Sequence, residues 1–560
     1  MQPAAPVRFL LLASLFCPSG AFFSELWCHW QRPSIHLAAR NGDLQLFENA
    51  LFCANLFKKS IDRLDSEGWT ALHHASHFGH LELVQELLKH NAVVDYRHFS
   101  TGNMPIHLAA QAGHARIVDE LLRAKSPHVL AMQAGTLPMQ LASAKGHVEV
   151  LRVLIKAGVS GGDVSAQQGV TAIEIAAQNG HVEAIAALYS TSSVRGRNAA
   201  LHWASREGHQ EALRKLLDLG VDKDAENSCG WRAVHRAALA DQVKTLDILV
   251  SVGADAVISA RKCQAETGKD VATYPLLESD SQTSGSPLLL ACTAGHIKMV
   301  QRLLLNDTNV SINQTDVNGY TCLMHAASMG HLPVARWLVY QGADLELAER
   351  KEGLTAVHIA ATKGHVSILK LLIQAKADAR RLDTHFGFDP FMHACHHGHV
   401  DAVQLLYSFT TKNGFDKKHD WTALHIAAMG GHLTVLKYLI AKGWEISLKD
   451  KTGWSAEQWA ARSGFLDVER MLRAAATLHA SDVFHFSPEK VADWLNDLNM
   501  PQYAMRFIAH KINGKRLLGL TDDLLLGDLG VEEQNYRTRI LEAIKDLKDA
   551  DVASGRRVEL

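Results

Sequence analysis

The side chains best able to do chemistry in this 560-residue chain are its 32 histidines, as metal ligands or as general acids and bases. Their densest cluster, His393-Ala394-Cys395-His396-His397-Gly398-His399, holds the nitrogen and sulfur donors that zinc favours. A structural zinc site needs its donors to converge tetrahedrally, and nothing in this spacing implies that. His399 belongs to a series of Gly-His pairs, and His393 stands where other copies of the pattern have an apolar residue. No HExxH helix or Walker-type phosphate loop is present. The eight cysteines (Cys17, Cys28, Cys53, Cys229, Cys263, Cys292, Cys322 and Cys395) include no CxxC pair, which supports neither a zinc site nor a disulfide framework. Cys292, Cys322 and Cys395 read as reduced, buried thiols at or beside small-residue helix positions. The sequence assigns no catalytic, cofactor-binding or metal-binding residue, and the chain reads as a non-enzyme.

The histidines are periodic instead. Gly-His recurs at 79–80, 113–114, 146–147, 180–181, 208–209, 295–296, 330–331, 364–365, 398–399 and 431–432. From Gly295 onward the pairs are spaced by roughly 33–35 residues. His36, His73, His107, His202, His235, His358 and His425 fill a second periodic position. The unit is clearest from Gly353 to Ile373. Thr355 is a start signal whose hydroxyl can accept an orphan N–H of the first turn. Val357, Ile359, Ala360 and Ala361 give a first helix an apolar side, Gly364 stops it, and Ile368, Leu369, Leu371, Leu372 and Ile373 recur at helical spacing in a second. Neither helix is long enough to be stable alone in water, so the unit must stack on copies of itself.

Thr-Ala-Leu-His at 70–73 and 422–425, Ile-His-Leu-Ala-Ala at 35–39 and 106–110, and Gly-Ala-Asp at 253–255 and 342–344 closely resemble the ankyrin repeat. About thirteen units fit between Ser34 and Ala476. The resemblance implies an all-α solenoid of helix-turn-helix repeats joined by β-hairpin loops. Two arms are expected, residues 34–258 and 286–476, parted by a polar inserted loop at 259–285 that is rich in Ser and Thr. The unit at Gly169 carries Glu174 in the histidine position, the unit leading to His202 lacks part of its hairpin, and Ala240-Asp241 replaces Gly-His, which puts that turn in doubt.

Residues 1–23 join Arg8, the apolar run Phe9–Cys17 and small residues at Ser19-Gly20-Ala21, the pattern of a secretory signal or of an apolar N-terminal segment. The run is too short to span a bilayer. Unpaired cysteines throughout favour a reducing, cytoplasmic compartment, with secretory entry as the alternative. A formal net charge of −2 argues against nucleic acid as the main partner.

The second arm ends in a run of aromatics. Trp454 and Trp459 are expected to shield the end of the stack, and Trp421 shares its motif position with Trp69, Trp231 and Trp454. Phe386, Phe388 and Trp444, with Trp421, are the candidate exposed anchors for a protein client.

After Leu478 the period stops. Ser487 and Pro488 open a helix whose face is Val491, Trp494, Leu495 and Leu498. Tyr503…Phe507, Ile512-Asn513-Gly514, Leu517-Leu518, Leu520-Thr521, Leu529-Gly530-Val531 and Arg539-Ile540-Leu541 follow in order. Residues 484–549 are thereby similar to the sterile alpha motif (SAM) domain, a five-helix interaction module, with residues 550–560 a tail. Many such domains associate head to tail. Here Asp522, Asp523 and Asp528 would supply the negative surface and Lys515, Arg516, Arg537 and Arg539 the positive one. Opposite patches on one small domain make a heterologous contact. The basic residues also leave an RNA-binding reading open, opposed by Glu532 and Glu533.

The arrangement is similar to the ankyrin-repeat and SAM adaptor family, which implies a scaffold holding a client on the ankyrin concave face and joining itself or another SAM protein. A regulatory subunit presenting substrates to a separate kinase or ubiquitin ligase is the alternative. No cofactor is implied, and no membrane partner beyond the N-terminal segment.

Overall fold

A computed structural model describes residues 34–57, 60–127, 135–159, 169–227, 230–258, 285–305, 309–410, 414, 416, 418–480 and 486–553. The N-terminal segment 1–23, almost all of the inserted loop and the last seven residues of the tail lie outside them. Among the described residues the secondary structure is helical, and the hairpin loops reduce to isolated bridges such as Thr315–Thr321 and Lys449–Ser455. The chain divides into two compact units, and the division falls inside the repeat built from helices Pro287–Ala294 and Ile297–Leu303.

Each repeat is an inner helix and an outer helix. In Ala356–Lys363 the buried positions other than His358 are small or β-branched (Ala356, Val357, Ile359, Ala360, Ala361), so adjacent inner helices approach closely. The outer helix Val366–Gln374 buries Ile368, Leu369 and Leu372, about 1.5–3 kcal/mol of apolar burial per side chain. At Thr355 the expected N-cap bond is absent; its hydroxyl pairs with His358 Nδ1 at 2.9 Å. Gly364 has φ +72°, and a Cβ there would stand 2.6 Å from Nδ1 of His399 in the next repeat. The glycine therefore makes both the turn and the seat for its neighbour's ring.

The irregular units follow from their residues. Without a complete hairpin, the chain from Ser193 winds directly into one long inner helix, Val194–Glu207. The turn at Ala240-Asp241 is kept: Asp241 takes φ +55°, a left-handed conformation that Asp tolerates. Gln242 then lies against Gly208, where a histidine would otherwise sit.

Two cysteines depart from the expectation of reduced thiols. Cys292 and Cys322 are joined as a disulfide, with Cα atoms 5.4 Å apart and a separation of 30 positions in sequence. Stacked inner helices bring these positions within the reach of about 4.4–6.8 Å that a disulfide spans. Cys395 is a free, buried thiol, and burial pushes its pKa well above the ordinary value.

The C-terminal module has helices Pro488–Asp497, Pro501–Ala509, Gly514–Leu518, Asp522–Gly527 and Gln534–Ala553. Ser487 Oγ accepts from Lys490 N–H, and Pro488 occupies the first turn, where a missing N–H costs nothing. Val491, Trp494, Leu495, Phe507, Leu517, Leu525, Ile540, Ile544 and Leu547 fill one core, with Leu498 packed at its margin.

Candidate interaction surfaces

The residue types that could have done chemistry are engaged in joining repeats. At the fourth motif position His358 and His235 are buried and bonded from both sides. His358 Nδ1 accepts the Thr355 N–H (3.2 Å), while Nε2 meets the Arg381 carbonyl of the next hairpin (2.9 Å). His235 repeats this with the Arg232 N–H (3.1 Å) and Ile258 O (3.0 Å). A carbonyl can only accept, so Nε2 carries the proton and Nδ1 stays bare. Burial lowers the pKa of His73, His202, His235 and His358 to about 4. Gln140 serves the same role without a titrating ring, accepting from Leu137 N–H at 2.8 Å and donating to Val170 O at 2.5 Å. Glu174 is the odd member: burial raises its carboxyl to about 7, and Thr171 Oγ1 donates to it at 2.8 Å.

The Gly-His rings make a second joint, backward along the stack. His114 meets His77 O (3.1 Å), His365 meets Ser328 O (3.1 Å), and His399 meets Thr362 O (2.9 Å).

The 393–399 cluster is consequently dispersed among unlike partners. His393 Nε2 pairs with Asp383 Oδ2 at 2.8 Å, and His399 faces the preceding repeat. Among the described residues no group of His, Cys, Asp and Glu side chains is gathered to hold a metal ion. Asp383 shows how hairpins are built. Burial would raise its pKa, but bonds from His393 and from the Gly387 and Phe386 N–H groups prevail and hold it at about 2. Asp416 and Asp450 bind the backbone N–H groups of Trp421 and Trp454 in the same way.

The candidate anchors separate into two pairs. Phe386 is 36% exposed on a hairpin tip, its ring stacked on Phe388. Trp421 is half-buried, its indole N–H donating to Asp450 Oδ2 (3.1 Å) and its face covered by the half-buried His419 ring at 4.1 Å. Phe388 and Trp444 are not exposed anchors: they are 3% and 0% exposed. Phe388 directly precedes the N-cap Asp389 of an inner helix and packs beneath Phe386. Trp444 occupies the middle of Gly443-Trp444-Glu445, the slot that holds buried Ala254 and Ala343 in Gly-Ala-Asp elsewhere, and stacks on Phe391. That correspondence was readable in the sequence. Trp459 is half-buried, sharing Asp450 with Trp421.

In the C-terminal module Arg537 is likewise misassigned as surface charge. It is 8% exposed; Nε donates to Asp522 Oδ1 (2.9 Å) and Nη1 to the carbonyls of Val531 (3.1 Å) and Glu532 (2.7 Å). Arg537 thus ties the loop before the last helix to the fourth helix, and it is subtracted from any phosphate-binding set. Arg537→Ala is expected to destabilise the module by about 2–3 kcal/mol by orphaning those acceptors, whereas Asp522→Asn, on the exposed side, costs less than about 1 kcal/mol. Denaturant unfolding of the two variants checks the ranking. Asp523, Asp528, Lys515, Arg516 and Arg539 are exposed. So are Leu524 (39%) and Leu526 (47%), which sequence reading missed; the fourth helix buries only Leu525.

Among the described residues no helix is long and apolar enough to cross a membrane. Residues 35–133, 117–198, 190–260, 265–349, 347–418 and 409–482 match the family "Ankyrin repeats (3 copies)", and residues 486–548 match "SAM domain (Sterile alpha motif)". Mouse Ankyrin repeat and SAM domain-containing protein 6 is 37% identical over 81 residues, 14% of this chain and 9% of that protein. A mouse B-cell lymphoma 3 protein homolog is 32% identical over 165 residues, 26% of this chain and 36% of the relative. An ankyrin repeat and KH domain-containing protein of Caenorhabditis briggsae is 28% identical over 167 residues, 30% of this chain and 6% of the relative. The chain thus spans much less than two thirds of each relative. With the repeat family matched along most of its length, the chain belongs to the ankyrin-repeat proteins and carries a SAM domain after the array.

Proposed function

We propose that this protein is an adaptor: a client docks on the hairpin side of the ankyrin array, around Phe386 and Trp421, and the SAM domain joins a second SAM domain, its own copy or another. Both modules are of interaction type, which makes a protein-interaction scaffold the coarse function. The observation that carries the finer reading is the fourth SAM helix, which leaves Leu524 and Leu526 uncovered between the exposed acids Asp523 and Asp528. An apolar strip flanked by one sign of charge is suited to a partner surface bearing the other sign, which steers the encounter and fixes register. Lys515, Arg516 and Arg539 supply that sign on the same domain. Linking one client to each copy of a clustering module raises avidity without a new contact.

Light scattering of the full chain over a concentration series tests this. The wild type is expected to grow in mass with concentration. Asp523→Lys and Arg539→Glu should each stay monomeric alone and stop at a dimer when mixed, since one intact pair of surfaces remains. A wild type that stays monomeric at every concentration would overturn self-association and leave a different SAM protein as the partner.

A further inference from the structure

A solenoid has two open ends, and its terminal repeats expose a face that inner repeats bury against a neighbour. At the C-terminal end the outer helix is altered in length. It runs 15 residues, Leu466–Ala480, where Val366–Gln374 and Leu433–Ala441 run nine. Where the shorter outer helices end, this one has Ala474, Ala475 and Ala476, small side chains that allow another helix to approach closely. Ala475 is 3% exposed, and Ala474 packs against the hydrophobic core of the SAM domain. The helix that approaches is the last SAM helix, Gln534–Ala553, which packs against Leu466–Ala480 and also against the preceding outer helix Leu433–Ala441.

From this packing we infer that the SAM domain braces the C-terminal end of the ankyrin stack from the side: it docks through its last helix on the two final outer helices and folds with them as one body. One long helix then serves two cores. Its inner stripe of Ile540, Ile544 and Leu547 closes the five-helix module, while the helix also lies along the last two outer helices of the array. The docked side of that helix is withdrawn from contact with another SAM domain, and the helix Asp522–Gly527 stays outside. The inference goes beyond the adaptor reading and does not depend on self-association.

Hydrogen exchange on the full chain tests it. Ala474→Arg puts a long charged side chain where the array meets the SAM core. Backbone exchange in Leu433–Ala441 and Leu466–Ala480 should rise roughly five-fold or more, with Val366–Gln374 unchanged. Arg537→Ala is the second arm, because its hydrogen bonds all lie inside the SAM domain, away from the repeats. Loosening the SAM domain from within should also release both outer helices. Unchanged protection of those helices while SAM exchange rises would overturn the inference. Should Ala474→Arg unfold the final repeat by itself, the Arg537→Ala arm decides.

Discussion

Acidification from pH 6.5 to pH 4 is expected to unfold the repeats, with proton uptake by the inner-helix histidines as the cause. His73, His202, His235 and His358 are each held neutral in the fold, at about 4 against an ordinary 6.5. Their folded pKa is depressed, so their contribution to stability is complete above pH 6.5 and is lost as pH falls through 4. Each is worth about 3 kcal/mol over that window, and the four together on the order of 10 kcal/mol, comparable with the whole stability of a typical domain. Glu174 works the other way. With its pKa raised to about 7, it favours the fold below pH 4.5 and opposes it above 7, but it is one group against four. Asp383, held at about 2, keeps its contribution down to about pH 4 and loses it only below that, outside the window. Replacing the four histidines by Gln, the residue already present at 140, should keep the fold at pH 7.5. The slope of stability against pH between 6 and 4.5 should then fall by about 1.4 kcal/mol per pH unit for each histidine removed. Urea unfolding at stepped pH reads that slope, and an unchanged slope in the fourfold variant would refute the assignment.

Trp444→Ala is expected to cost about 3–5 kcal/mol in the stability of the second unit, because a fully buried ring stacked on Phe391 leaves a cavity that its neighbours cannot close. Phe386→Ala, at the exposed end of the same run of aromatics, should cost about 1 kcal/mol or less and instead weaken capture of a client. Thermal unfolding followed by far-ultraviolet circular dichroism separates them. Equal losses for the two variants would mean that the hairpin tip is as much a part of the core as the Trp444 slot.

The repeat period was legible because its signals are backbone requirements: a glycine where the turn is left-handed, and a histidine where an N–H and a carbonyl must both be met. Side-chain type alone misleads where register decides burial. Trp444 was judged by being aromatic, although its place between Gly443 and Glu445 is the buried alanine slot of Gly-Ala-Asp. Arg537 was counted as charge, although it lies three, seven and ten residues before Ile540, Ile544 and Leu547, on the stripe that the last SAM helix buries. The Cys292–Cys322 pair was missed because spacing was tested against local motifs; about one repeat length apart means adjacent in a stack. Exposure of Leu524 and Leu526 was beyond reach, since a six-residue helix can bury any of its leucines and only the packing decides which.

The histidine joints also bear on how such an array can change its length. Each ring spends its hydrogen bond on a carbonyl of an adjoining repeat, His358 forward to Arg381 and His399 back to Thr362. What is matched from copy to copy is therefore a seam, with one half of its fastening on each side. Removing or duplicating a whole period rejoins two halves of the same kind, whereas a cut at any other phase leaves a ring without its carbonyl. Lineages of this chain would be expected to differ in whole periods.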